Sequence, residues 1–485
     1  MNPAELLVPA LRWERDRGFD QQRPLIEKSI ELGVGGYIIF GGSAAAVQEL
    51  TSELRERSRE PLLIGADLER GAGQQFAGCT GLPPLAALGS LNDPDVMRQA
   101  GAVTAREARG LGINWVYAPV MDLDVEPENP IVGTRAISGN AAAVGRLGSA
   151  WIEGCQSAGA LACAKHFPGH GRTTTDSHAE LPVVSASAGL LEQEDLRPFR
   201  EAIDVGVASV MSAHVAFPAL DPSGAAATLS EPILRGLLRD RLHFEGLVVT
   251  DALIMAGVLQ NETEASASVR ALLAGVDLLL YPEGLEAVVD AIGAAVASGE
   301  LQTESLEQSL GRRRRWAEWA DQREPPRGAR QPLDWARDIA CRVVRRLHGD
   351  IPPLGDRIRL TVVDDDVGGP YPPPSREPFA ERLHELGVAV TSANGEADGV
   401  GVHVIALFGD IRAWKGRPGY SADALRSVAD AVASGDAART VLIQFSHPRL
   451  ASQLGAVPAT VCAWGGEAPM QRAAAEWLVN HCRSN

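Results

Sequence analysis

Short apolar runs separated by helix-period stretches recur eight times in the first 281 residues, and this alternation limits the folds open to the chain more than any other feature. The runs lie at 6–10, 36–40, 61–66, 114–118, 160–164, 208–213, 247–250 and 276–281. They are near-continuous rather than alternating, which is the pattern of parallel strands covered on both faces. Between most of them, as at 44–60 and 95–111, alanines mix with charged residues at helical spacing. Eight strands alternating with helices predict a (β/α)8 barrel; a doubly wound open sheet is the alternative.

Barrel chemistry gathers where strands end at their carboxyl side, because the βα loops converge there. Five runs are followed by ionisable residues: Asp67 after the third, Asp122 and Asp124 past the fourth, Lys165 and His166 after the fifth, His214 after the sixth and Asp251 after the seventh. Scattered surface charge would not fall in this register.

A chain of 485 residues exceeds one ordinary core. From about residue 358 a second α/β pattern begins, with strand candidates at 359–363, 402–408, 440–445 and 460–464. The expected organisation is a barrel over 1–320, a linker and connecting helix over 321–350, and a smaller three-layer α/β sandwich over 351–485. The arginine run 312–315 reads as a solvated or domain-docking helix face, given Trp316 and Trp319 beside it. A net charge of −17 repels nucleic acid and anionic membranes, so neither is an expected partner. Six scattered cysteines without a CxxC pair fit reduced thiols. The N-terminus lacks a basic and apolar leader, and no apolar run approaches the ~20 residues that span a bilayer. The cytoplasm is the expected compartment.

The densest chemistry lies in one loop, Lys165-His166-Phe167-Pro168-Gly169-His170-Gly171-Arg172-Thr173-Thr174-Thr175-Asp176-Ser177-His178. A metal site is one reading of its histidines, but glycine and proline prevent a helix from aligning them, and Lys165 and Arg172 oppose a divalent cation. No metal is expected. No GxSxG, Walker A or strand-linked GxGxxG sequence occurs, so neither a serine nucleophile nor a nucleotide cofactor is expected. Asp251, directly after an apolar strand, is either a helix N-cap or a site carboxylate. Asp176 and His178 form either a turn or a carboxylate-oriented acid/base.

A strand-end carboxylate with a separate acid/base, over a mouth lined by Asp67, Arg135, Lys165 and His166, suits a polyhydroxylated substrate. Retaining glycoside hydrolysis needs such a pair. Here a resemblance becomes specific. KHFPGHGRTTTDSHAELP resembles the signature of glycoside hydrolase family three, in its NagZ-like β-N-acetylhexosaminidase branch. Further blocks agree in order: 65–71 (GADLERG), 118–124 (APVMDLD), 129–135 (NPIVGTR), 210–214 (VMSAH) and 249–253 (VTDAL).

The resemblance implies a retaining exo-β-N-acetylglucosaminidase acting on small glycosides or cell-wall fragments. Asp251 would be the nucleophile and His178 the acid/base, oriented by Asp176. Asp67, Arg135, Lys165 and His166 would bind sugar hydroxyls, with His214 in the floor of the site. The family needs no metal or cofactor. The sequence departs from the family at Arg70, which precedes Gly71 where two glycines are common, at Ala252, where some members carry a second aspartate, and at Ala136-Ile137-Ser138, where an aromatic is common. These bear on substrate preference. A phosphorylase, a β-glucosidase and a non-catalytic sugar-binding protein are the competing readings. A mobile acid/base segment is also expected, since Gly169 and Gly171 precede Asp176 and His178.

Overall fold

The computed structural model describes residues 1–175, 180–259, 262–323, 333–367, 373–392 and 401–482. Asp176 and His178, and with them the expected mobile segment, lie outside the described residues.

The eight apolar runs become the strands of a closed parallel barrel. Seven strands pair in chain order: β2 (Ala10–Arg12), β3 (Gly36–Phe40), β4 (Leu63–Ala66), β5 (Trp115–Val116), β6 (Leu161–Phe167), β7 (Ser209–Ser212) and β8 (Leu247–Val249). The first run divides at Pro9, which has no N–H to give a ladder. Its first half, β1 (Leu7–Val8), pairs in parallel with β9 (Leu279–Leu280), and a bridge from Val249 to Leu278 joins β8 to the same run. The sheet therefore closes on itself, and the open-sheet alternative falls.

Side chains fill the barrel: Ile38, Leu63, Trp115, Tyr117, Leu161, Cys163, Met211 and Val249 belong to one buried cluster. The arginine run lies on the helix Thr303–Asp321. It docks on the barrel itself rather than facing solvent throughout. Arg313 is fully buried, donating to Glu5 Oε2 at 2.9 Å and to the Pro61 carbonyl at 2.7 Å, both ahead of strands. Trp316 and Trp319 pack against the barrel cluster from the same helix.

A second unit is built on a six-stranded sheet: β10 (Arg345–His348), β11 (Arg357–Asp364), β12 (Ala389–Ser392), β13 (Val402–Phe408), β14 (Thr440–Phe445) and β15 (Thr460–Cys462). Its order is β10-β15-β14-β13-β11-β12, parallel except for β10 against β15. The helix Ala422–Ala433 covers one face through Ala424, Val428 and Ala431, packed with Ile405 and Leu442. Helices Leu333–Val343, Glu377–Glu385 and Ala468–Cys482 contribute to the core on the other face, with Val404, Phe408 and Phe445. Two strands escaped the sequence reading. β10 is an edge strand with exposed arginines, and β12 is four residues long. Neither carries a continuous apolar run.

The two units interleave along the chain. The first comprises Met1–Thr80, Asn92–Glu126 and Ala136–Pro332; the second comprises Gly81–Leu91, Pro127–Arg135 and Leu333–Asn485. Among the described residues no helix is long and apolar enough to cross a membrane.

Candidate active site

Four barrel strands deliver the expected residues. β4 runs directly into Asp67, β6 carries Lys165 and His166, β7 leads to His214, and β8 leads to Asp251. Lys165 is buried, and its Nζ donates to Asp67 Oδ1 at 2.7 Å and to Glu69 Oε1 at 2.8 Å. Glu69 was not singled out from sequence. The signal was there: Asp67 and Glu69 are two apart, and in extended chain such residues point the same way.

His166 is oriented by a carboxylate that the sequence reading placed at a strand end without a role. Asp122 Oδ2 lies 2.7 Å from His166 Nδ1, and Asp122 Oδ1 accepts from the backbone N–H groups of His166 (3.1 Å) and His170 (2.7 Å). Burial alone would raise the Asp122 carboxyl, but these histidines outweigh it and hold it below its ordinary value. Because Nδ1 faces a carboxylate, Nδ1 carries the proton.

Asp251 Oδ1 accepts from the next residue's N–H, Ala252, at 2.7 Å. The nearest following helix, Ala256–Leu259, begins too late for Asp251 to be its cap, so the N-cap alternative fails. Burial pushes this carboxyl up; His166, His214, the Ala252 N–H and Lys165 pull it down further, to about 2. It is an anion throughout the neutral range.

The segment leading from Lys165 toward Asp176 is fixed at its base. His170 is buried with Nδ1 2.8 Å from Thr173 Oγ1, and burial drives its pKa down to about 4. Arg172 pairs with Asp195 at 2.8 Å and with Glu194. Gly171 abuts the Leu123 carbonyl so closely that a Cβ there would lie 2.0 Å from the oxygen. On the returning side, Val184 N–H donates to the Ala216 carbonyl at 2.9 Å. His166 and His170, two members of the metal alternative, are thus engaged by Asp122 and Thr173.

Arg135 lies on a turn. It ends the turn Gly133–Arg135, in the segment Pro127–Arg135 that groups with the second unit. Asn129 Oδ1 accepts from the N–H groups of Ile131 and Val132 at 2.9 and 2.7 Å. The Thr134 hydroxyl lies 3.1 Å from Asp410 Oδ1. The structure therefore brings Asp67, Lys165, His166, His214 and Asp251 together in the barrel, and Arg135 belongs to the segment Pro127–Arg135.

A closed parallel barrel that gathers an ionised carboxylate and several basic side chains at its strand ends is the frame of a barrel glycoside hydrolase. Residues 17–315 match the family model described as the glycosyl hydrolase family 3 N terminal domain. A β-N-acetylglucosaminidase/β-glucosidase from Cellulomonas fimi is 36% identical over 290 residues, covering 58% of this chain and 51% of that protein. The chain thus spans about half the length of that relative. A β-hexosaminidase from Nitrosomonas eutropha is 38% identical over 257 residues, 51% of this chain and 73% of the relative. The solved structure of a glycoside hydrolase family 3 β-N-acetylglucosaminidase from Paenibacillus sp. str. FPU-7 superposes with a TM-score of 0.85 at 29% identity, covering 99% of this chain and 96% of that one. The chain belongs to glycosyl hydrolase family 3.

Proposed function

We propose that the chain is a retaining exo-β-N-acetylglucosaminidase that removes terminal N-acetylglucosamine from small glycosides. The observation that carries this reading is Asp251, a strand-end carboxylate kept ionised by its basic neighbours in a barrel of this family. The names of the relatives supply the sugar. In the first step Asp251 attacks the anomeric carbon as the glycosidic C–O bond breaks, and His178 gives its proton to the leaving oxygen. In the second, His178 takes a proton from water, whose oxygen displaces Asp251 with net retention. Asp176 orients His178. Lys165, held by Asp67 and Glu69, is a fixed donor to sugar hydroxyls; Asp67, His166 and Arg135 complete that set, and His214 lies beneath it.

The catalytic unit is read as the barrel, Met1–Thr80, Asn92–Glu126 and Ala136–Pro332, rather than an uninterrupted 1–320, and the sandwich takes in the helix Leu333–Val343 and β10 ahead of 351–485. Cell-wall fragments in the cytoplasm are the proposed natural setting. The test is a panel of aryl β-glycosides with and without the acetamido group, each run with and without phosphate. The expected result is release of N-acetylglucosamine at a rate indifferent to phosphate. A sugar 1-phosphate as main product, or preference for the plain glucoside, would overturn the reading.

A further inference from the structure

The sequence reading put His214 in the floor of the sugar site, yet the ring is fully buried and faces protein at both nitrogens. Nε2 lies 3.1 Å from the Ala252 carbonyl oxygen, which can only accept, so Nε2 carries a proton. Nδ1 lies 2.8 Å from Thr228 Oγ1. That hydroxyl is also 3.1 Å from the Ala213 carbonyl and 2.9 Å from Ser212 Oγ, and Ser212 Oγ is 3.4 Å from the Val249 carbonyl. Ser212, His214 and Thr228 are all 0% exposed, so none is a surface contact.

The proton count closes in either charge state. With a neutral ring, Thr228 donates to Nδ1 and accepts from Ser212. With a charged ring, Nδ1 donates to Thr228, which donates to Ala213. The Nε2–H bond to Ala252 survives in both. Ala252 is the residue whose N–H holds the Asp251 carboxylate at 2.7 Å, so it is gripped from His214 on one side and bonded to Asp251 on the other. Strand β8 ends at Val249, and beyond it the chain is tied to the neighbouring run by Thr250 N–H to the Leu278 carbonyl and Leu253 N–H to the Leu280 carbonyl, both 3.1 Å. The His214 bond falls between these two ties.

Resting on the reaction proposed above, we infer that Ser212, Thr228 and His214 form a positioning relay for the nucleophile. It acts through Ala252 on Asp251, and His214 serves as a positioning residue rather than a sugar ligand. A displacement of order 1 Å at a reacting group costs ~100-fold in rate, and a relay of this kind shows in kcat rather than KM.

The experiment compares Thr228→Val, of nearly the same shape but without the hydroxyl, with Thr228→Ser, which keeps it, on an aryl N-acetylglucosaminide. Valine should lower kcat roughly 10- to 100-fold with KM within about twofold. Labelling of Asp251 by a 2-fluoro glycoside should slow in parallel. Serine should restore kcat to within about threefold. Wild-type kcat in Thr228→Val, or a raised KM at unchanged kcat, would overturn the relay. If Thr228→Val does not accumulate, Ser212→Ala is measured the same way. It should lose kcat about threefold at unchanged KM, and an unchanged kcat overturns the relay. Failure of the unsubstituted protein to turn over the substrate would instead sink the proposed reaction.

Discussion

Replacing Lys165 by methionine keeps the length of the side chain and removes its charge. The consequence can be worked from two distances. Nζ sits 2.7 Å from the Asp67 carboxylate and 2.8 Å from that of Glu69. At an effective dielectric of about 20 each contact is worth roughly 6 kcal/mol of gross attraction, most of it spent on desolvating the three groups. Breaking a buried pair from one side costs about 3–5 kcal/mol net, because the partner charge stays buried and uncompensated. Glu69 is buried, but the Asp67 side chain is 31% exposed and partly solvated, which points to the lower end, about 3 kcal/mol. For a unit of this size that is a fall in Tm of about 4–5 °C.

The sign with pH follows from protonation. In the variant the two carboxylates lose the Lys165 cation between them, and the folded state relieves the added repulsion by binding a proton that the unfolded chain has released. Stability then declines as pH rises, by up to about 1.4 kcal/mol per unit per proton, until that proton is lost. The deficit against wild type should therefore be larger at pH 8 than at pH 5, as read by thermal melts followed by circular dichroism. Adding Glu69→Gln to Lys165→Met should recover part of the loss at pH 8. Equal deficits at both pH values, together with no recovery in the double variant, would refute the reasoning.

Asp251→Ala should reduce turnover at least about 1000-fold, and mass spectrometry should find a fluorinated glycosyl label on Asp251 in wild type; normal activity in the variant, or a label elsewhere, would count against Asp251. His170 is kept neutral in the fold, with its pKa near 4. The unfolded chain takes up that proton below about pH 6.5, so the group subtracts stability as pH falls from there to about 4, on the order of 3 kcal/mol in all. Urea titrations of wild type and His170→Asn should converge at acid pH more than at pH 7. Gly171→Ala forces a Cβ to within 2.0 Å of the Leu123 oxygen and should cost about 2–4 kcal/mol by chemical unfolding.

The barrel was legible because parallel strands buried on both faces write themselves as unbroken apolar runs, and a polar residue at the end of such a run stands out. That is how Asp67, Lys165, His166, His214 and Asp251 could be picked from sequence. Partnership was less legible. Glu69 and Asp122 are ordinary carboxylates until the fold brings Lys165 and His166 against them. His214 reads as a site residue by position, and only the fold shows that its two nitrogens lie against Thr228 and Ala252. The exposed arginines of β10 hid a strand, since an edge has no need of a continuous apolar face. The affiliation of 81–91 and 127–135 with the second unit rests on contacts far apart in the chain, which no local pattern encodes.

That affiliation bears on heredity and on engineering alike. The chain passes between its two units five times, so neither is a cassette. A stop codon after residue 332 would leave the shortened product carrying Ala86 and Ala87 without the sandwich core they help fill, and Thr134 without Asp410. Recombination that exchanged only the C-terminal third would meet the same mismatch. The sandwich can be traded intact only if two short strips from within the barrel's coding region travel with it.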